Sequence, residues 1–250
     1  MRLRLRHFSP RTGPVEHRIV QPWHPPRHTA LTDPAGYGFL VGDHTGLSAL
    51  AGLFAFAAYS RRTVVHVPLR GGVPLDEEAY LETAGGRVDL VLVHHSLGLR
   101  VSEWPGLRRR LTGGVPLSVR TDEARTARDA DAWLRRCGHA DSRDRLRPVG
   151  HARTLFLVGS RGTFSFAATA LARAAGQGPR QKGVTKGHMA LVEGLTPLLE
   201  SGDRRRGPEL DIAFKAYPPY AHFRRPGRPR RRGGASAPSP AATGPRAAGP

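Results

Sequence analysis

Short apolar runs alternate with longer segments of helical periodicity between residues 38 and 176. The runs are rich in β-branched residues and short enough for strands; they cover 39–41, 63–67, 88–93, 116–119 and 154–158. The helix candidates between and after them cover 47–58, 76–84, 103–111, 121–137 and 163–175. This alternation predicts an α/β fold of three layers, with a mostly parallel sheet and helices on both of its faces.

The parts of the chain outside this alternation differ in composition. Residues 1–35 contain several prolines and little periodicity, so we predict an irregular basic arm. The α/β domain then covers 36–223, in which 189–199 is predicted as a helix and 210–216 as a strand. Residues 224–250 contain no apolar side chain larger than alanine or proline. We therefore expect a disordered basic tail that is rich in arginine, proline, glycine and alanine.

The net charge of +19 is of the kind that nucleic-acid-binding proteins carry. Only three of the 39 basic residues are lysines, namely Lys182, Lys186 and Lys215. Selection for phosphate binding does not exclude lysine, whereas a GC-rich coding sequence favours arginine, alanine, glycine and proline together. We interpret much of the charge as a codon effect, and nucleic acid bound by the basic ends stays an alternative.

Simpler features of the sequence limit the metal sites and the cellular location that can be expected. Cys137 is the single cysteine, which excludes an internal disulfide and a metal cage built from cysteines. The longest apolar stretch, 46–59, is too short and too alanine-rich for a membrane span. Because the N-terminus shows no signal-peptide pattern, a cytoplasmic protein without a membrane partner is expected.

The first candidate site is the turn between the strand 39–41 and the helix after it. Ligands of parallel α/β sheets bind at the carboxyl ends of strands, where helix N-termini offer N–H groups to phosphates. Small and polar residues at this turn predict a cofactor-binding site; they are Gly42, Asp43, Thr45 and Gly46. The alternative is that Asp43 or Thr45 is an ordinary helix N-cap.

Two further candidate sites follow later strands. His94 and His95 come directly after the strand 88–93, and we predict that one of them acts as a catalytic acid or base. Adjacent residues of a strand point to opposite faces, so a shared metal is not expected, and a simple strand end is the alternative. The third candidate site, like the first, is a turn of small and polar residues between a strand and an alanine-rich helix, and it consists of Gly159, Ser160 and Arg161. Arg161 is predicted to pair with a phosphate. Two such turns at one sheet edge would flank a single nucleotide.

The first turn resembles the nicotinamide-binding half of the siderophore-interacting proteins, flavin-dependent ferric-siderophore reductases of the ferredoxin-reductase group. The matching residues are Gly42, Asp43, Thr45, Gly46 and Leu47. The stretch TLFLVGS at 154–160 stands where that family has a late strand ending in Gly-Glu. The resemblance implies that both turns face NAD(P)H. His44 and Ser160 replace acidic residues of the family, and no flavin-binding barrel precedes Pro34, which implies a separate flavoprotein as partner.

Three functions stay open from the sequence. The first is a dinucleotide-binding, oxidoreductase-like protein of bacterial secondary or iron metabolism. The second is an acyl- or ligand-handling enzyme of a biosynthetic pathway, which uses His94 or His95. The third is a non-catalytic binding protein whose basic ends contact a polyanion.

Overall fold

The computed structural model describes residues 1–34, 37–71, 86–137, 143–200 and 208–218. Its helices are α1 (His44–Tyr59), α2 (Trp104–Arg109), α3 (Glu123–Cys137), α4 (Arg161–Gln177) and α5 (Lys182–Thr185). The first strands are β1 (Arg2–Phe8), β2 (Arg11–Thr12), β3 (Val15–Glu16), β4 (Arg18–Pro22), β5 (Thr29–Leu31), β6 (Tyr37–Gly42) and β7 (Thr63–Val67). The later strands are β8 (Asp89–His94), β9 (Val115–Arg120), β10 (Arg147–His151), β11 (Thr154–Gly159), β12 (Ala190–Gly194) and β13 (Glu209–Phe214).

The strands form two larger sheets and one small hairpin. The first sheet has seven strands in the order β10-β11-β8-β7-β4-β1-β9, and the second has four in the order β12-β13-β6-β5. Among the described strands the parallel pairs are β8 with β11, β4 with β7 and β6 with β13, and the other pairs are antiparallel. The α/β class is confirmed, but the sheets are mixed and the expectation of a mostly parallel sheet holds only for these three pairs.

Helices α1 and α4 lie between the two sheets and share one apolar core with both. Val65 and Leu92 of this core come from the seven-stranded sheet, and Leu40 and Ile212 come from the four-stranded one. Ten of the sixteen residues of α1 are buried, because the helix is covered from both sides. We predicted helices on both faces of a single sheet. The seven-stranded sheet does carry helices on both faces, with α1 and α4 on one and the short α2 on the other, but a second sheet covers α1 and α4 from the opposite side.

The strand before α1 and the strand after it belong to different sheets. We expected a βαβ unit with parallel strands in one sheet, but β6 lies in the four-stranded sheet and β7 in the seven-stranded one. The far face of the seven-stranded sheet is partly covered by α2, whose Trp104 and Leu107 pack there with Phe156. None of the described helices is long and apolar enough to cross a membrane.

The start of the chain is the largest correction to the predicted domain organisation. Residues 1–35 are not an irregular arm, since β1 and β4 are inner strands of the seven-stranded sheet. The predicted helix at 189–199 is wrong as well, because β12 pairs there with β13 and a 3₁₀ turn follows at Thr196–Leu198. The predicted helix at 76–84 and the predicted disordered tail at 224–250 lie outside the described residues.

Candidate functional site

The carboxyl ends of β8 and β11 bring together the second and third predicted sites. The two strands are parallel neighbours, and His94 is the register partner of Gly159. Both strands end at the same edge of the sheet, and α4 begins at Arg161 directly after this point. The histidines and the Gly159–Ser160 turn are therefore adjacent, as expected for a site at the carboxyl edge of parallel strands.

Ser160 is the N-cap of α4 and is held by a reciprocal pair of hydrogen bonds. Its Oγ accepts from the backbone N–H of Thr163 at 3.2 Å, and its own N–H donates to Thr163 Oγ1 at 2.9 Å. The hydroxyl also donates to Asp144 Oδ2 at 2.8 Å. These bonds satisfy orphan N–H groups of the first helical turn and fix the orientation of the hydroxyl. They also connect the turn to the segment that precedes β10.

The two histidines lie in different environments, although their ring centroids are only 4.4 Å apart. His94 is 4% exposed, and its Nδ1 lies 2.8 Å from Ser96 Oγ. Burial lowers the pKa of His94, and repulsion from His95 in its protonated form and from Arg61 lowers that pKa further. His94 is therefore neutral at pH 7, because the ordinary histidine pKa of about 6.5 already lies below that pH.

His95 is the exposed member of the pair, and it faces the cleft. Its Nδ1 lies 3.2 Å from the carbonyl oxygen of Gly159. A carbonyl oxygen only accepts, so this contact places the proton of the neutral ring on Nδ1. Nε2 is then left with a lone pair, which is the arrangement that a general base or a hydrogen-bond acceptor needs.

An open cleft of about 390 Å³ lies in front of this edge. Its lining combines cationic, acidic and small residues: His95, Arg143, Asp144, Arg145, Arg147, Val158, Gly159, Ser160 and Glu200. Arg143 and Arg147 are exposed, whereas Arg145 donates to Cys137 Sγ at 3.2 Å and stacks over the ring of Trp133. Three arginines against two carboxylates give the cleft a positive balance. We had not predicted a role for these arginines, although the run DSRDRLR, which ends at the first residue of β10, contains them.

The guanidinium of Arg161, which we predicted to pair with a phosphate, has an acidic partner within the fold. Its Nε and Nη2 donate to Asp129 Oδ2 at 2.8 and 2.5 Å. The same carboxylate oxygen accepts from the hydroxyl of Tyr59 at 2.5 Å, and the guanidinium lies over the Tyr59 ring. Burial by itself raises the pKa of Asp129, but the bonds from Tyr59 and Arg161 outweigh burial and lower it. Arg161 thus ties together the end of α1, the middle of α3 and the start of α4.

The GDHTG turn lies at the opposite end of the α1–α4 pair. The end of α1 at Tyr59 meets the start of α4 at Arg161, and His44 at the start of α1 lines a groove with Gly176 near the end of α4. The two helices are therefore antiparallel, and the turns that begin them are separated by the length of a helix. A single nucleotide does not lie between both turns in this arrangement.

The residues of the GDHTG turn have structural partners within the fold. Asp43 is the N-cap of α1, and its Oδ1 accepts from the N–H of Gly46 at 2.7 Å. A side-chain carbon at Gly46 would overlap with Thr29 Oγ1, so glycine is needed for packing against β5. Thr45 faces a pocket of only about 170 Å³, which is smaller than ordinary ligand pockets. The turn after Gly42 thus has the N-cap role that we kept as the alternative.

Comparisons with known proteins add nothing to this geometry: no family model, no curated protein and no solved structure matches the chain. Within the described part of the chain, histidine, cysteine and acidic side chains form no cluster of three that could hold a metal ion. The chemistry of the cleft at the ends of β8 and β11 therefore has to be inferred from its own residues.

Proposed function

We propose that the protein binds a phosphate-bearing small molecule in the cleft at the carboxyl ends of β8 and β11. The observation that supports this most directly is that Arg143, Arg147 and His95 line one cleft together with Ser160, the N-cap of α4. Arginine presents a planar fork of N–H groups that matches the oxygens of a phosphate. The N-terminal end of a helix adds a partial positive charge on the same side.

The size of the cleft limits what can occupy it. A volume of about 390 Å³ falls within the range of small-molecule sites. Nicotinamide dinucleotides and coenzyme A thioesters both carry phosphates on a long, partly apolar molecule. The shared requirement is one phosphate group near the arginines, with the remainder of the ligand extending along the edge of the sheet. The oxidoreductase-like and the acyl-handling hypotheses therefore share one binding chemistry.

His95 gives this site a group that can move a proton. Its Nε2 carries the lone pair, while Nδ1 is held by the carbonyl of Gly159. Histidine is the side-chain type whose protonation changes most readily around neutral pH, which suits it to acid–base chemistry. His94 supports the pair from the buried side and remains uncharged. We assign His95 the role of acid or base, and His94 a positioning role.

Ligand-induced stabilisation tests this proposal directly. The purified protein is melted with NADH, NADPH, coenzyme A, acetyl coenzyme A or inorganic phosphate, each at millimolar concentration. A ligand at one hundred times its Kd raises the free energy of unfolding by about 2.7 kcal/mol. The ligand with the largest effect is then titrated by calorimetry. Preference for a reduced nicotinamide supports the oxidoreductase hypothesis, and preference for the thioester supports the acyl-handling one.

Paired arginine variants locate the site. The double substitution Arg143→Ala with Arg147→Ala removes two charge-assisted bonds, each worth about 1.5–3 kcal/mol, so affinity should fall by roughly 100-fold or more. The control is Arg128→Ala with Arg180→Ala, which removes two exposed arginines from other surfaces. Equal affinity in both double variants, or no stabilisation of the wild type by any ligand, refutes the proposal.

A further inference from the structure

A second positively charged surface lies on the far face of the seven-stranded sheet, away from α1 and α4. Strand β1 alternates between exposed and buried residues from Arg2 to Arg6, so that Leu3 and Leu5 point into the core, whereas the three arginines point to the opposite face. All three arginines are exposed. The strand therefore presents a straight row of three cations, which follow one another at about 6.8 Å, twice the rise per residue of a strand.

The neighbouring strands extend this row into a surface. Arg120 and Ser118 of β9 are the register partners of Arg2 and Arg4, and both are exposed. On the other side, the chain just after β4 brings Trp23 next to Arg4. The backbone N–H of Trp23 donates to the backbone carbonyl of Arg4 at 2.8 Å. Register partners across a sheet share a face, so these side chains line one surface. We call it the arginine face; it consists of Arg2, Arg4, Arg6, Trp23, Ser118 and Arg120.

The arginine face combines positive charge with an accessible aromatic ring. The Arg6 guanidinium lies 4.6 Å from the centre of the Trp23 ring, and this contact holds both side chains in place. A shallow depression of about 390 Å³ is lined by Trp23, Arg2, Arg4 and Ser118. Among the described residues, no carboxylate is placed on this face by β1, β4 or β9. The part of the face that these three strands form thus carries positive charge and no carboxylate of its own.

This combination matches the chemistry of a single-stranded nucleic acid. Cations in a row along a strand can follow successive phosphates, and an aromatic ring gives an unpaired base a surface on which to stack. A duplex keeps its bases inside the stack and offers Trp23 nothing comparable. We infer that the arginine face binds single-stranded nucleic acid, with the arginines on the backbone and Trp23 beneath a base. This inference is independent of the ligand proposed for the cleft.

Fluorescence gives a local reporter for this binding. Trp104 and Trp133 are buried, so the partly exposed Trp23 is the tryptophan that a nucleic acid can reach. Addition of a twelve-nucleotide oligo(dT) or oligo(U) should quench the tryptophan emission. Trp23→Phe should keep most of the affinity but lose the quenching, because phenylalanine stacks without contributing tryptophan emission. Trp23→Ala should lose the quenching and should also bind the oligonucleotide more weakly, by roughly 10-fold or more.

Salt dependence separates the arginine face from the other arginines of the chain. Affinity for fluorescein-labelled oligonucleotides is measured by anisotropy on the full chain over a series of salt concentrations. Each phosphate contact to a single strand contributes about 0.7 to the slope of log K against log salt, so Arg2→Gln, Arg4→Gln and Arg6→Gln together should lower the slope by about 2. The control removes three exposed arginines from other surfaces, Arg128→Gln, Arg136→Gln and Arg180→Gln.

The outcomes decide the inference in either direction. A loss confined to the β1 triple variant, together with weaker binding of a hairpin duplex, supports it. Oligo(dT) and oligo(U) compared side by side show whether DNA or RNA is preferred. Equal slopes in both triple variants, tighter binding of the duplex, or unquenched Trp23 at saturation overturns it. Circular dichroism of each variant confirms the fold, and Arg4→Gln alone, with an expected slope change of about 0.7, repeats the test if the triple variant unfolds.

Discussion

Replacing Asp89 by asparagine tests a buried polar cluster at the start of β8, beside the end of β7, in the seven-stranded sheet. Asp89 is 3% exposed, and its carboxylate accepts from the N–H groups of Leu69 and Arg70 at 3.0 and 3.1 Å. Arg70 Nε donates to it at 2.8 Å. The ring of His66 and the guanidinium of Arg108 lie 3.8 and 3.6 Å from the same carboxylate. Asparagine keeps the shape of this side chain but removes its charge.

The contribution of ionised Asp89 to the free energy of unfolding follows from the pKa of its carboxyl group. Burial by itself raises the pKa of Asp89, but attraction to His66 and the bonds from the Arg70 and Leu69 N–H groups outweigh it, and the pKa falls from 3.8 to about 2. One pKa unit is worth about 1.36 kcal/mol, so ionised Asp89 contributes roughly 2.5 kcal/mol to the free energy of unfolding. Because the folded pKa is depressed, this contribution is present above about pH 4 and is lost as the pH falls through about 2.

Urea unfolding at a series of acidic pH values measures this contribution. Wild type should exceed Asp89→Asn in stability by a margin that shrinks by roughly 2 kcal/mol between about pH 5 and about pH 2, because the folded carboxyl group is still half ionised at pH 2. Any remaining difference at low pH reflects the changed hydrogen bonds and the uncompensated arginines. Asp131→Asn, which removes one carboxylate from the exposed surface of α3, serves as the matched control. A margin that does not change with pH refutes the charged cluster as described.

Three further predictions concern the two ends of the α1–α4 pair and the buried histidine of the cleft. Tyr59→Phe removes the hydrogen bond to Asp129 and should lower the free energy of unfolding by about 1–2 kcal/mol in urea titrations. Gly46→Ala should destabilise by roughly 1–3 kcal/mol through overlap with Thr29, and Thr29→Ala in the same chain should restore part of this loss; additive losses would contradict it. His94 should titrate below 6.5 by NMR, so its contribution to stability is present above pH 6.5 and falls as the pH drops below that value; a pKa above 6.5 would contradict this.

The sequence predicted most of the strands and helices, but not how the strands are distributed between sheets. The apolar runs at 63–67 and 154–158 are strands as expected, and the helix after Gly159 was anticipated. Sheet membership depends on pairing between distant segments, which local periodicity does not contain. Strand β6 pairs with β13, about 170 residues later, so nothing near 39–41 identifies its sheet.

Two errors have identifiable physical causes. The stretch RLRLRHF carries the period of a strand, but the prolines around it led us to predict an irregular arm. The stretch MALVEGLTPLL has apolar spacing compatible with a helix, and antiparallel pairing with β13 overrides that local preference. In both places the position of neighbouring strands, rather than local propensity, determines the structure.

The candidate site was predicted only in part, because it too depends on how distant segments pair. His94, His95, Gly159 and Ser160 meet because two apolar strands end there in parallel, and strand ends are readable from sequence. The contribution of Arg143 and Arg147 was not predicted, since their position beside the end of β11 depends on the antiparallel pairing of β10 with β11. The GDHTG turn was located correctly between a strand and a helix, but its relation to the second turn required the antiparallel arrangement of α1 and α4.

The pairing of β6 with β13 has a consequence for synthesis of the chain on the ribosome. Strand β6 is complete after residue 42, yet its partner does not exist until residue 214 has been translated. Until then one edge of β6 remains open, and the helix layer that it covers stays exposed on that side. Such long sequence separation between partners slows folding and lengthens the interval in which nascent chains can aggregate. Efficient production should therefore depend on chaperones that shield the open edge until β13 has been synthesised.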